Sequence, residues 1–250
     1  MTDLVTAAPS FIEKLRALRA TVTGVNWYPY DSLGNVYLLK ELLAHDATIV
    51  RDRGSVLDVG CADGDMGFLF HSLGCDVDFL DNAATNFNDC RGVKRSAQLL
   101  RHRGRVIERD IDFGFELDRD YDFVLFLGTL YHLRNPALAL IRLAERCQTM
   151  VVSTRVMRCL PEPAVAPLGD ASVAYLVDTL ELNADPTNWW IFSPAALTRL
   201  LKRCGWTTIA ARTFGAVDEG DPVAAQRDER MFVFCERVAN YAELTAHHHF

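Results

Sequence analysis

Apolar and polar positions alternate along this chain in two rhythms. Short apolar runs occupy 55–61, 75–81, 105–111, 122–128 and 149–155. The 75–81 run alternates and ends in a carboxylate, Asp81. The 122–128 run is nearly continuous, as expected for a central parallel strand covered on both faces. Between the runs lie segments of helical periodicity at 66–73, 92–103 and 135–147, the last with Pro136 in its first turn. Ser193-Pro194 opens another helix that runs to Cys204, with Gly205 as its stop. Strands alternating with helices imply βαβ units with right-handed crossovers. Two late runs, 207–213 and 231–238, flank a polar loop and read as a long antiparallel hairpin. The expectation is an α/β fold: a mostly parallel seven-stranded sheet, helices on both faces and the hairpin at its end.

Two stretches depart from this rhythm. The first is N-terminal. Residues 10–19 pattern as a short amphipathic helix with Ser10 as its N-cap, and Asp31 or Ser32 is placed to cap a second helix over 33–44. Between them stand Trp27, Tyr28 and Tyr30 around Pro29, which either plug the core or wall a substrate pocket. The second is 157–190, broken by Pro161, Pro163, Pro167 and Gly169, with one helical piece expected near 171–180. It follows a strand end, so it reads as a lid or pocket wall that closes on Asn188, Trp189 and Trp190. The implied organisation is an N-terminal cap over 1–48, a ligand-binding domain over 49–240 and a tail over 241–250.

Composition narrows the class. Half of the residues are hydrophobic, enough for a sizeable core, and the net charge of −7 argues against a surface built for nucleic acid. The seven cysteines are scattered without a C-x-x-C pair, which points to free thiols in a reducing cytoplasm, with neither disulfides nor a metal site. No apolar run approaches the ~20 residues of a membrane span, and the N-terminus lacks a signal-peptide pattern. His247 to His249 read as a tag remnant or a chance tail.

The chemistry concentrates at the strand ends. Asp58-x-Gly60-Cys61-Ala62-x-Gly64 joins the first strand to its helix. Gly60 and Gly64 allow positive φ and close ligand approach, and the helix start offers unpaired N–H groups. The spacing is not G-x-G-x-x-G, and no Gly-Lys-Ser/Thr follows. Asp81 stands 21 residues after Gly60, where a carboxylate accepts hydrogen bonds from two ribose hydroxyls. A ligand-free turn and a solvated strand-end aspartate are the plain alternatives. A basic helix carrying Arg91, Lys94 and Arg95 reads as a solvated face.

These residues, with Asp110-Ile111 and the strand end Gly128-Thr129-Leu130-Tyr131-His132, resemble the motifs of class I S-adenosylmethionine (SAM) methyltransferases over about 50–238. That resemblance implies a Rossmann-like methyltransferase fold. It implies that Asp58, Gly60 and Gly64 border the methionine part of SAM, with Cys61 and Ala62 also in the cofactor site. Asp81 would hold the ribose hydroxyls, with Asn82 beside it in the cofactor site; Asp110 and Ile111 would flank the adenine, and Leu127 and Gly128, in the stretch Leu127 to Leu130, would line the floor beneath the sulfonium. More narrowly, Leu130-Tyr131-His132, the Trp189–Pro194 entry to a helix, and Gln226-Arg227-Asp228-Glu229-Arg230 resemble the wobble-uridine tRNA carboxymethyltransferases and their bacterial relatives. Those enzymes hold a carboxylated SAM with a lysine, a tyrosine and an arginine. Tyr131 and Arg227 match two of these, but no lysine stands near 27–30, and the longer N-terminal region of the tRNA enzymes is missing. The departures and the acidic charge favour ordinary SAM, S-adenosylhomocysteine as product and a small-molecule acceptor. In that reading Tyr131 orients the acceptor and His132 is a base or a structural hydrogen-bonding group. Trp27, Tyr28, Tyr30, Asn188, Trp189, Trp190 and Arg227 would form the acceptor site. Transfer to tRNA and non-catalytic SAM binding remain as alternatives. The sequence does not reveal the oligomeric state.

Overall fold

The computed structural model describes residues 4–44, 54–162 and 164–239. The tail 241–250 with its histidines, and the expected cap boundary at 48, lie outside them. The chain forms two compact units: Met1–Asp110 with Arg119–Phe126, and Ile111–Asp118 with Leu127–Phe250.

In the first unit, helix α1 (Leu4–Ala20) starts six residues earlier than its pattern predicts. Ser10 is inside it, bonding back to the Ala7 carbonyl at 3.1 Å rather than capping. Pro9 normally disfavours a helix interior. Here the buried stripe Leu4, Ala8, Phe11 and Leu15 runs across it at helical spacing, so packing outweighs the lost hydrogen bond. Asp31 is the residue that caps, its Oδ1 accepting from the Leu33 and Gly34 N–H groups at 3.1 and 3.0 Å. A 3-10 turn, Leu33–Asn35, leads into α2 (Val36–Leu43).

Strands β1 (Ser55–Val59), β2 (Asp76–Asp81), β3 (Val106–Glu108) and most of β4 (Tyr121–Leu127) form a parallel array in the order β3-β2-β1-β4. Val56, Leu57, Val59, Phe79, Phe123 and Val124 are fully buried, the consequence of a strand sequence that is apolar on both faces. Helix α3 (Asp65–Ser72) joins β1 to β2, and α4 (Arg91–Leu99) joins β2 to β3. The latter stops four residues short of the expected end, because Arg101 turns to φ +53° and breaks the helical path. Its basic residues are exposed; Lys94 pairs with Glu108 at 2.7 Å and Arg91 with Asp89 at 3.1 Å.

The second unit contains α5 (Pro136–Arg146), β5 (Cys147–Val156), β6 (Ala174–Leu176), β7 (Trp190–Phe192), α6 (Pro194–Arg203), β8 (Trp206–Gly215) and β9 (Glu229–Arg237). The late hairpin is long, running in register from Trp206↔Arg237 to Gly215↔Glu229, and β9 also pairs antiparallel with β5. All seven expected strands are present, and β6 and β7 are additions. The helical piece expected near 171–180 is absent: Ala174–Leu176 is a strand, paired antiparallel with β7. The reason is period two. Val173, Tyr175 and Val177 turn inward onto Met157, Leu182 and Ile191, and together they give the insertion a small core of its own. Ser193 caps α6 as expected, its Oγ accepting from the Ala196 N–H at 3.2 Å. All seven cysteines are free thiols, and among the described residues no helix is long and apolar enough to cross a membrane.

Candidate functional site

In the first unit the chemistry gathers where β1 and β2 end. The chain leaves β1 through Gly60 at φ +66°, Ala62 at φ +51° and Gly64 at φ +81°. Gly64 is doubly constrained, because a Cβ there would meet Phe68 at 2.7 Å and Phe79 at 2.9 Å. Ala62 pays roughly 1–2 kcal/mol for a left-handed backbone, and its N–H is engaged in return by Asp81 Oδ2 at 2.8 Å. The same oxygen accepts from Asn86 Nδ2 at 2.9 Å, while Oδ1 accepts from the Asn82 N–H at 2.8 Å. Burial raises the Asp81 carboxyl, and the hydrogen bonds from Asn86, Ala62 and Asn82 oppose it. One bond to Oδ1 leaves that oxygen with acceptor capacity, which fits the vicinal hydroxyls of a nucleoside.

Asp58 is buried within β1 and accepts the Gly67 N–H on Oδ2 at 3.0 Å. Burial, helped by the Asp81 and Asp65 charges, pushes its carboxyl up to about 7 against the pull of the Gly67 bond. Burial likewise pushes the Cys61 thiol well up. Asp63 is also buried. It accepts from Asn88 Nδ2 at 2.8 Å and from the Tyr28 N–H at 2.7 Å, which ties the aromatic stretch to the turn. Arg19 pairs with Asp65 and lies over the Trp27 ring at 4.5 Å. Tyr28 meets Tyr30 and Phe87 edge-on. Asp110 follows β3, ending this stretch of the unit.

In the second unit, Leu127 ends β4 and Gly128 turns at φ +70°. The Gly128 N–H reaches both the carbonyl and the hydroxyl of Ser153 at 3.0 Å. A 3-10 turn, Leu130–His132, then presents Tyr131 and His132 with ring centroids 4.1 Å apart. Arg230 lies over the Tyr131 ring at 5.5 Å. His132 Nδ1 is 2.9 Å from Thr187 Oγ1, which is 2.6 Å from Asp185 Oδ1. Burial lowers the His132 pKa most; Asp185 and a hydrogen bond to the Thr187 backbone raise it, and Arg230 lowers it further, leaving it below the ordinary value.

The insertion meets this turn along its backbone: the Trp189 N–H donates to the Tyr131 carbonyl at 2.8 Å, and Trp190 Nε1 to the Arg134 carbonyl at 3.1 Å. Arg134 faces both Trp189 and Phe113 at 5.6 Å. Ile111 is buried. Asn188 turns its amide inward, donating to the Leu182 and Asp185 carbonyls, and Arg227 pairs with Asp221. Both side chains are thereby tied to their own segments. The guanidinium beside Tyr131 is that of Arg230, three residues further on.

Sequence reasoning passed over Asn86, Asp63, Arg19, Asp185, Thr187 and Arg230. Asp185-x-Thr187 carried a usable signal, an aspartate placed to accept from the N–H two residues on, which it does at 2.8 Å. Arg19 and Arg230 carried none, since their partners are distant in sequence.

The model of the methyltransferase domain family matches residues 34–211. Among curated proteins, none matches. Solved structures share the fold at low identity. The N-terminal domain of EvdMO1 with S-adenosylhomocysteine bound is 18% identical with a TM-score of 0.52, covering 91% of this chain and 96% of that one. The 1,6-didemethyltoxoflavin-N1-methyltransferase of Burkholderia thailandensis is 16% identical with a TM-score of 0.55, covering 92% and 87%. Coclaurine N-methyltransferase is 13% identical with a TM-score of 0.56, covering 94% and 86%. With a family match that spans more than half its length, laid on a turn and strand ends of this geometry, the chain belongs to the methyltransferase domain family.

Proposed function

We propose that this protein is an enzyme that methylates a small-molecule acceptor at the expense of SAM, leaving S-adenosylhomocysteine, in the cytoplasm. The observation that carries the reading is Asp81. Its carboxylate sits at the end of β2, braced by Ala62, Asn82 and Asn86, with acceptor capacity left on Oδ1. Such a group binds ribose hydroxyls. Asp58, Gly60, Cys61, Ala62 and Gly64 would border the amino-acid end of the cofactor. The structural neighbours named for a toxoflavin precursor and for coclaurine support a small acceptor.

SAM when bound supplies a methyl group already activated on sulfur. The protein's task is therefore alignment and removal of a proton, and alignment alone contributes roughly 7–11 kcal/mol to such reactions. His132 has a pKa below the ordinary value, so it is neutral at pH 7 and accepts a proton there. Tyr131 and Arg230 orient the acceptor beside it, while Trp189 and Arg134 wall the same turn.

Calorimetric titration with S-adenosylhomocysteine and with carboxylated SAM tests the reading. Binding of the first, weakened roughly 10–100-fold in Asp81→Asn through loss of charge-assisted hydrogen bonds, is the expected result. Strong preference for the carboxylated cofactor would redirect the assignment to carboxymethyl transfer. Binding of neither by folded protein would overturn it.

A further inference from the structure

The side-chain contacts at His132 Nδ1 favour one arrangement of protons. A carboxylate offers lone pairs and no proton. Thr187 Oγ1, 2.6 Å from Asp185 Oδ1, must therefore spend its single proton on that oxygen. Its remaining lone pairs face His132 Nδ1 at 2.9 Å, so Nδ1 carries the hydrogen of that contact. The neutral ring is then the Nδ1–H tautomer, and Nε2 keeps its lone pair. The His132 side chain is 28% exposed, enough for an acceptor to reach it.

We infer that Thr187 and Asp185 are positioning residues that lock His132 with Nε2 as the proton acceptor, and that the substrate class is a molecule methylated at a hydroxyl. This deepens the proposed methyl transfer and rests on it. In the step, the acceptor's O–H proton passes to Nε2 as its oxygen bonds to the methyl carbon. The carbon–sulfur bond breaks with its electron pair remaining on sulfur. The imidazolium so formed has the Asp185 carboxylate 4.0 Å from Nδ1. Without the Thr187 hydroxyl the ring loses the side-chain contact that fixes its tautomer; without Asp185 the hydroxyl proton would be free to turn toward Nδ1 and place the hydrogen on Nε2. The groups facing the ring are Tyr131, the hydroxyl and backbone of Thr187, Asp185 and Arg230.

Long-range nitrogen–proton NMR of the imidazole, on ligand-free protein labelled at histidine, reads the tautomer directly. The wild type and Thr187→Ser are expected to show His132 protonated on Nδ1 at pH 8. Thr187→Val is expected to show a mixture, and Asp185→Asn a shift toward Nε2–H with a lower titration midpoint. With acceptor screens, Thr187→Val is expected to lower kcat on hydroxyl acceptors about tenfold or more with KM for SAM unchanged, and Thr187→Ser to restore it. A wild-type ring protonated on Nε2, or a Thr187→Val tautomer identical to wild type, would overturn the positioning role. Turnover confined to amine acceptors would overturn the substrate class. Failure to bind S-adenosylhomocysteine, with the tautomer as expected, would count against the methyltransferase reading and leave the proton arrangement standing.

Discussion

Replacing Asp58 with asparagine should make the ligand-free protein more stable above neutral pH and flatten its pH dependence. Asp58 is buried in β1, and its carboxyl is raised from 3.8 to about 7 by burial and by the neighbouring Asp81 and Asp65 charges. A raised folded-state pKa means that the folded protein holds this proton more tightly than the unfolded chain does. Below pH ~4 both states are protonated and the group contributes nothing. Between pH ~4 and ~7 stability falls as pH rises, and above ~7 the full penalty applies. Three units correspond to about 4 kcal/mol. Asparagine retains an oxygen for the Gly67 N–H, but its amide hydrogens need partners, at a cost of about 1–3 kcal/mol if unmet. The net gain at pH 8 is therefore about 1–3 kcal/mol. Urea unfolding of both proteins from pH 5 to pH 8.5 gives the difference directly, and groups that titrate alike in the two cancel. Wild type should lose stability relative to the variant as pH rises. Parallel profiles would refute the reasoning, since they would mean that Asp58 is ionised in the fold at no cost.

Further substitutions test other parts of the structure. Gly64→Ala combines a φ of +81° with contacts of 2.7 and 2.9 Å to Phe68 and Phe79; it should cost about 2–4 kcal/mol, read as a lower Tm in calorimetry. Glu229 is fully buried and held by Arg158, so Arg158→Met should cost about 3 kcal/mol. Adding Glu229→Gln should recover part of that loss in a double-mutant cycle, and strict additivity would argue against the pair. Ser193 Oγ accepts from the N–H groups of Ala196 and Val173 and donates to the Ala171 carbonyl; Ser193→Ala should cost about 2 kcal/mol in urea unfolding.

The strands were readable because each is a short apolar run bounded by a turn residue, and Asp58, Gly60 and Asp81 were readable because their spacing is local. The errors have local causes too. Ser10 reads as an N-cap because its hydroxyl suits that place, whereas the buried stripe Leu4, Ala8, Phe11 and Leu15 carries α1 back past it. The 171–180 stretch was given helical period although Val173, Tyr175 and Val177 alternate, and only the pairing of Ala174 with Phe192 makes that decisive. The setting of His132 was beyond reach for a different reason. Its hydrogen-bonding partner stands 55 residues away, and no periodicity reports which side chain of an irregular segment turns back. The same holds for Arg230, whose guanidinium lies over the Tyr131 ring although the two are far apart in sequence.

The insertion after β5 begins and ends at one place. Val156 pairs with Phe192, and the Met157 N–H bonds to the Phe192 carbonyl at 3.1 Å. A segment with adjoining ends and its own small core can change length or content at little strain to the sheet, because closing a longer loop costs only slowly more. Yet this segment also carries Asp185 and Thr187. A segment that can vary at little strain thus also carries the groups that contact the ring of His132. Exchanging it between relatives should transplant the shape of the acceptor wall and the orientation of the base as one heritable module.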